Sequence, residues 1–263
     1  MSSPHIDIPD PSFLTSPPPF PLSITPIDWA STQIPEYTDR AAFTIANVLT
    51  PAECAQLTAL AESSAGVEQG PWPPALVRGP GGEVHRPGYR NSGRIIWRNQ
   101  TIADRIWARC ASADGLQERL AVVPQDYGRV RRGEWRFRRV NDRMSFLRYT
   151  AGQYFQPHTD GPYCYETDES RFQTFYTLQL YLGDSAAGGG GLVGGETSFL
   201  SLDRKRRVDV EPRAGSVLIF QHENLLHEGA EVKEGVKFAM RTDVLYEWVA
   251  DEKPKNAKRT RKF

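Results

Sequence analysis

The sequence predicts a mainly β protein with flanking helices, its core a barrel or jelly roll. Three observations carry this. After about residue 140 the apolar pattern alternates with a period of two, in runs rich in aromatic and β-branched residues: SFLRY (145–149), QTFYTLQLYL (173–182), SVLIF (216–220) and KFAMRTDVLYEW (237–248). Glycine-rich breaks, AAGGGGLVGGE (186–196) and PRAG (212–215), separate those runs. Helical periodicity is confined to the part of the chain before them, which places the helices on the outside of the β-structure.

In chain order, residues 1–38 hold nine of the 20 prolines. Proline locks φ and removes a donor, so an extended or disordered leader is expected there, a flexible tail unless it lies along the domain surface. TPAECAQLTALAESS follows, with Thr50 at an N-cap, Pro51 at the first helical position and Glu53 three residues on. That is a capping-box pattern, and Cys54, Leu57, Leu60 and Ala61 recur at helical spacing, so a helix over 51–63 is expected. Residues 65–93, rich in Gly, Pro and Arg, read as a long loop. TIADRIWARCASA (101–113) reads as a second helix with Ile102, Ile106, Trp107 and Cys110 on its apolar face. The expected division is therefore a leader (1–38), a helical and loop region packing on the core (39–142), the jelly-roll core (143–250) and a basic tail (251–263) whose KPKNAKRTRKF holds six basic groups.

Size and composition set limits on function. The 263 residues suffice for a sizeable core, and 39% hydrophobic with 24% charged residues is ordinary for a globular protein. A net charge of zero gives no global field toward nucleic acid or membrane. No apolar run approaches the ~20 residues of a membrane helix, and no Arg or Lys precedes Arg40, so neither a membrane span nor a secretory signal is expected. Three cysteines at unrelated spacings, Cys54, Cys110 and Cys164, read as reduced thiols and point to a cytoplasmic or nuclear setting.

The chemistry concentrates in the strand-rich half. Of the five histidines, His158, His222 and His227 lie there. His158 and Asp160 form a His-x-Asp at the end of the run SFLRYTAGQYFQP, and Gly161-Pro162 stops the strand at that point. A His-x-Asp alone is common, and most instances are core histidines satisfied by a carboxylate. Added to a distal histidine it supplies a facial triad, two imidazoles and one carboxylate on one face of an octahedral metal with three positions open. Lys237 opens the next strand, with Arg241 four residues on and on the same face. An open Fe(II) site needs such a cation to hold a dicarboxylate co-substrate. Tyr149, nine residues before His158, could donate to that carboxylate, and GGETSFL (194–200) has small residues that let a strand edge approach closely.

Taken together, RYTAGQYFQPHTD, TLQLYLGD, GGETSFL and GSVLIFQH…LLHEGAEVKEGVKFAMRTDVLY resemble the Fe(II)/2-oxoglutarate dioxygenases of the prolyl 4-hydroxylase type over roughly 143–248. The resemblance implies a double-stranded β-helix (jelly roll) with His158, Asp160 and His227 as iron ligands. It implies Lys237 at the position that binds the far carboxylate of 2-oxoglutarate, Arg241 as the alternative anchor, Tyr149 assisting and Thr197 lining the co-substrate site. It selects His227 over His222, which becomes a loop or supporting residue. It implies Fe(II), 2-oxoglutarate and O2 as cofactors, with ascorbate as a further reductant, and a reaction releasing succinate and CO2. Retention of Asp160 favours hydroxylation, or demethylation through it, over halogenation.

Substrate signals are weaker. Tyr89, Arg90, Asn91 and Arg94 in GYRNSGR, with Trp97 and Arg98 just beyond, offer aromatic and guanidinium groups for polar or anionic partners, or form a loop that packs on the barrel. Tyr163 lies in PYCYETDESRF (162–172), a candidate lid beside the metal. VRRGEWRFRRV (130–140) is an acidic-substrate site or a charge-protected edge strand. The expected partner is a protein residue such as proline, or a small amine or amino acid. A nucleic-acid demethylase of the same chemistry is disfavoured but open, and a non-catalytic jelly-roll binding module is the third reading.

Overall fold

The alternation read after residue 140 becomes two facing antiparallel sheets. The structure, a computed structural model, describes residues 10–67, 71–124 and 133–250. The chain runs through β1 (Ile24–Pro26), β2 (Ala42–Ile45), α1 (Pro51–Ala65), β3 (Leu76–Gly79), β4 (Gly82–His85), β5 (Arg90–Asn91), β6 (Gly93–Arg98), α2 (Gln100–Cys110) and α3 (Leu116–Leu120). Strands then dominate: β7 (Gly133–Val140), β8 (Arg143–Thr150), β9 (Tyr154–His158), β10 (Cys164–Glu166), β11 (Arg171–Tyr181) and β12 (Val193–Gly194). The remainder are β13 (Thr197–Leu200), β14 (Arg207–Val210), β15 (Val217–Gln221), β16 (His227–Gly229), β17 (Val232–Glu234) and β18 (Val236–Ala250).

The major sheet runs β1-β2-β15-β11-β18-β8-β6, with β10 added to β11 and β7 to β18, nine strands in all. The minor sheet has five strands in the order β14-β13-β16-β9-β5. Period-two alternation divides the major sheet's faces. Phe146, Leu178, Leu180, Val217, Ile219 and Met240 point one way, into a core shared with Cys54 and Leu57 of α1 and Ile102 and Ile106 of α2. Tyr181, Leu218, Phe220 and Ala239 point the other way and pack against Phe199 of the minor sheet. The helices therefore cover the outer face of the major sheet, as the sequence led one to expect.

The α1 capping box forms as read. The Thr50 hydroxyl accepts from the Glu53 amide at 3.2 Å, and the Glu53 carboxylate accepts from the Thr50 amide at 2.8 Å. The same carboxylate takes both ends of the Arg109 guanidinium, at 2.7 and 2.9 Å, so one capping residue also ties α1 to α2. Cys54, Cys110 and Cys164 are free thiols. No helix among the described residues is long and apolar enough to cross a membrane.

Three expectations require correction. Residues 10–38 of the expected leader are not a free tail: Phe13, Leu14, Trp29 and Ile34 are buried, and β1 pairs with β2. Prolines bar a helix but not extended chain, and this segment's large apolar side chains reward docking. The expected loop 65–93 contains the β3–β4 hairpin and β5, where Gly79 and Gly82 border the turn. The boundary near residue 142 is not one between helices and sheet, because β2 extends the major sheet beside β15 and β6 extends it beside β8. Separately, the segment 162–172, read as a candidate lid, includes β10 and the start of β11, which pair as a hairpin, with Tyr165 stacked on Phe172 at 4.7 Å. α3 lies beyond the expected end of the second helix. Residues 1–9, the basic tail 251–263, and Arg131 and Arg132 of the arginine-rich stretch lie outside the described residues.

Gly215 has a conformational reason to be a glycine. It turns the chain into β15 at φ +77°, and a Cβ placed on it would overlap the Leu49 carbonyl. Its own carbonyl accepts from the Val48 and Leu49 amides at 2.8 and 3.1 Å. Gly215→Ala is expected to destabilise the fold by at least about 2 kcal/mol. Urea unfolding checks this, and an unchanged midpoint would show that the turn relaxes freely.

Candidate active site

Strand register brings the two histidines together. β16 lies antiparallel between β13 and β9, and His227 stands directly opposite His158 of β9. Their ring centroids are 4.4 Å apart. Each ring is braced on an aromatic side chain: Phe155 stacks on His158 at 3.7 Å and Phe220 meets His227 edge-on at 4.7 Å.

Both imidazoles are oriented by backbone carbonyls. His158 Nδ1 lies 2.8 Å from the Gln156 carbonyl and His227 Nδ1 3.0 Å from that of Leu225. A carbonyl only accepts, so each Nδ1 carries the proton and each Nε2 keeps its lone pair, the tautomer a metal ligand needs. Both lone pairs face Asp160, with His158 Nε2 3.8 Å from Oδ1 and His227 Nε2 3.7 Å from Oδ2. The three donor atoms lie within 4.8 Å of one another. Adjacent ligands of one octahedral ion with ~2.1 Å bonds sit roughly 3 Å apart, so modest side-chain movement completes a shared site.

Asp160 sits just past the end of β9 and is 7% exposed. The Thr177 hydroxyl donates to its Oδ2 at 2.6 Å, and Arg241 Nη1 approaches its Oδ1 at 3.0 Å. Burial alone would raise this carboxyl, but Arg241 and the two imidazoles outweigh it and hold the group far below the usual range. Burial, together with the neighbouring His227, pushes His158 down to about 3. Burial also lowers His227, with Asp160 opposing. An ionised carboxylate beside two neutral imidazoles has no protons to shed before taking a cation.

Two cations on β18 face this group, and they differ in their partners. Arg241 is engaged on both sides, by Asp160 and by Asp243 at 3.2 Å from Nη2. Lys237 is 3% exposed, with its Nζ 5.5 Å from the Tyr149 ring centroid and 5.8 Å from that of Tyr181. Among the described residues it makes no ion pair within 4.0 Å. Burial lowers it to about 8, with Glu196 opposing. Thr197 Oγ1 accepts from Gln179 Nε2 at 2.7 Å and from the Tyr181 hydroxyl at 2.8 Å. Tyr149, Thr197, Lys237 and Arg241 line one cavity with the triad.

The other candidates fall elsewhere. Asn91 faces Gln153 at 3.5 Å, Arg94 pairs with Glu83 at 2.9 Å, and Tyr163, 52% exposed, lines a separate groove with Tyr165 and Arg143. The structure does not bring these three into the triad's cavity. His222 is buried, with Nε2 3.5 Å from Asp243, so it stands behind Arg241 rather than among the three donors. Arg90, read in the sequence with its neighbours as a recognition group, does line the triad's cavity, whereas Thr177 and Gln179 escaped the sequence reading as site residues. For these two a signal existed: in QTFYTLQLYL a polar series alternates with buried Leu178 and Leu180, and a buried strand with one polar face suggests a site.

Residues 144–242 match the family model described as the 2OG-Fe(II) oxygenase superfamily. The match bears out the resemblance drawn from the motifs and supplies Fe(II), 2-oxoglutarate and O2 as the cofactors of the matched segment, which the His158-Asp160-His227 donor set fits. Among solved structures, the viral collagen prolyl hydroxylase of Paramecium Bursaria Chlorella virus-1 in complex with 2OG is similar at 20% identity, over 78% of this chain and 95% of that one, with TM-score 0.47. A Pseudomonas putida prolyl-4-hydroxylase is similar at 15% identity, over 80% and 95%, with TM-score 0.48. A Trichoplax adhaerens prolyl hydroxylase in complex with a hypoxia inducible factor peptide fragment is similar at 16% identity, over 81% and 86%, with TM-score 0.48. At these values the likenesses say nothing of substrate. No curated protein matches the chain.

The Thr177 hydroxyl fixes one Asp160 oxygen, and supporting hydrogen bonds of this kind are worth about 10–100-fold in metal affinity. Thr177→Val is expected to weaken Mn(II) binding about tenfold by calorimetry. Unchanged affinity would show that this hydroxyl does not orient the carboxylate.

Proposed function

We propose that this chain, whose residues 144–242 match the 2OG-Fe(II) oxygenase superfamily, hydroxylates a C–H bond of a small-molecule or protein substrate using Fe(II), O2 and 2-oxoglutarate. The observation that carries the reading is the convergence of His158 Nε2, Asp160 and His227 Nε2 within 4.8 Å, with both Nδ1 atoms pinned to backbone carbonyls. These three residues would hold the iron on one face, leaving the opposite face for co-substrate and O2. Bound there with 2-oxoglutarate, the ion supplies oxidative decarboxylation to succinate and CO2 and delivery of one oxygen atom to the substrate.

The chain's own part is positioning and electrostatics. Lys237 is the better anchor for the far carboxylate of 2-oxoglutarate, because Arg241 is already engaged by Asp160 and Asp243 while Lys237 is buried against two tyrosine rings. In a desolvated site its ammonium attracts a carboxylate far more strongly than in water. Tyr149 and Thr197 line the wall beside it. Phe155 and Phe220 brace the imidazoles and shield them from water.

The nucleic-acid alternative draws less support. The described arginines of the basic stretch have local partners: Arg136 with Glu134 at 2.6 Å, Arg138 with Glu247 at 3.6 Å and Arg139 with Gln100 at 2.7 Å. They therefore suit a charge-protected edge strand. A non-catalytic module would have no use for a buried lysine beside an intact triad.

Purified protein with Fe(II) and 2-oxoglutarate is expected to form succinate, and Asp160→Ala or His227→Ala to reduce it to background. Retained turnover in either variant would remove that residue from the ligand set. Lys237→Met should raise the KM for 2-oxoglutarate about 10–100-fold, the worth of one charge-assisted hydrogen bond, while leaving Mn(II) affinity unchanged.

Burial lowers the Lys237 ammonium to about 8. Below that pH it is charged and attracts the carboxylate; above it the charge is lost. The Kd for 2-oxoglutarate, measured on Mn(II)-loaded protein, should therefore rise about tenfold per pH unit above roughly 8. A flat profile to pH 9.5 would exclude Lys237 as the anchor.

A further inference from the structure

Three cations line the cavity, and among the described residues two of them, Lys237 and Arg90, are paired with no carboxylate; the co-substrate proposed above accounts for Lys237 alone. Arg241 lies between Asp160 and Asp243, and Lys237 faces the proposed far carboxylate of 2-oxoglutarate. Arg90 is the third. It sits on β5 at the edge of the minor sheet, opposite Phe155 of β9. Its guanidinium lies 4.5 Å from the Phe155 ring centroid, and Phe155 is stacked on His158 at 3.7 Å. One aromatic ring therefore separates this cation from an imidazole of the triad.

Arg90 is 8% exposed, and its Nε has no hydrogen-bond partner. Among the described residues it forms no ion pair within 4.0 Å, whereas Arg94, four residues on, is paired with Glu83. Its side chain hydrogen-bonds to that of Tyr149, while burial, Arg94 and Arg241 all disfavour its charge. Glu228 also borders the cavity, but its charged neighbours are Arg204, Arg207 and Asp209. Arginine is rarely buried without a carboxylate or phosphate, because the desolvated charge needs compensation, and a cation–π contact supplies only part of it.

Charge balance defines what is missing. A ferrous ion with Asp160, the 2-oxoglutarate dianion with Lys237, and Arg241 with Asp243 are neutral as a set. Arg90 then leaves a surplus of one positive charge. A planar carboxylate matches both that charge and the geometry of the guanidinium fork.

We propose that Arg90 is the substrate-recognition residue of this site, receiving the carboxylate of a small monocarboxylate substrate of the amino-acid class and holding it over Phe155 beside the iron ligands. This rests on the oxygenase reading above and narrows its substrate. It selects a free carboxylate-bearing molecule over an internal peptide residue, which has no carboxylate to offer at that point.

The test is binding, without turnover, to protein loaded with Mn(II) and 2-oxoglutarate. The twenty L-amino acids and a set of short aliphatic monocarboxylates are each compared with their primary amides, by thermal shift and then calorimetry. At least one acid should bind about tenfold or more tighter than its amide. Arg90→Met should abolish that preference while keeping the Kd of 2-oxoglutarate within about twofold, and Arg90→Lys, which keeps the charge and the stem, should retain part of it. If Arg90→Met does not fold, as judged by circular dichroism, Arg90→Lys decides, because it must lose affinity for the acid and not for its amide.

Equal binding of acid and amide, or binding of no acid while 2-oxoglutarate binds, overturns the proposal. So does an Arg90→Met variant that loses 2-oxoglutarate affinity as much as affinity for the acid, which would assign Arg90 to the co-substrate. Failure of the Mn(II)-loaded wild type to bind 2-oxoglutarate at all overturns the oxygenase reading itself, and this one with it.

Discussion

The antiparallel pairing of β9 with β16 is the constraint on which the site depends. It sets His158 opposite His227, and a slip of one residue would turn one imidazole to the other face of the sheet. Flanking strands hold the register. β13 pairs with β16 on one side and β5 with β9 on the other, so neither histidine lies on an edge strand. The same backbone that makes the ladder also supplies the Gln156 and Leu225 carbonyls that choose each ring's tautomer. Tertiary pairing and ligand chemistry are thus one arrangement. The carboxylate needs a separate device because Asp160 lies beyond the strand, and Thr177 and Arg241 of the major sheet hold it from the opposite side.

That division of labour explains why the major sheet carries a polar inner face. On β11 and β18 the residues pointing toward the minor sheet include Thr177, Gln179, Lys237 and Arg241, while their neighbours Leu178, Leu180 and Met240 close the core beneath the helices. Buried charge is tolerated because most of it is compensated in place: Arg241 by two aspartates, Asp160 by a guanidinium, a hydroxyl and the imidazole edges. Lys237 and Arg90 depart from this rule, since each is buried against aromatic rings with no carboxylate paired to it among the described residues. Buried cations without counterions are what a site for anionic ligands requires before its ligands arrive.

Much of this was legible in the chain. The strands at 145–149, 173–182, 216–220 and 237–248 and the first two helices fell where period and capping chemistry put them. Those segments are long and strongly patterned, so local and tertiary preferences agree. The short strands β2, β5 and β6 were not read. Two to six residues carry too little periodicity, and what makes them strands is an available edge on β15, β9 and β8. For the docked segment after residue 10 the chain left two outcomes open for a related reason: its prolines argued for extension, and whether extended chain lies free or packs depends on the groove that receives it.

By itself the sequence determined the chemistry: the residue types, the His-x-Asp at a strand end, the distal histidine, and a lysine and an arginine at alternating positions on one strand. Metal ligands are specified by type and spacing, and both are local properties. Only the tertiary structure decided which cation is free and which is spent. Lys237 and Arg241 share one face of β18 and look alike in the chain, and it is the approach of Asp160 and Asp243 that occupies one of them. It also decided that Arg90 joins the cavity while Asn91 and Arg94 do not. Charge pairing depends on distances across strands remote in sequence, and those distances exist only once the sheets have closed on each other.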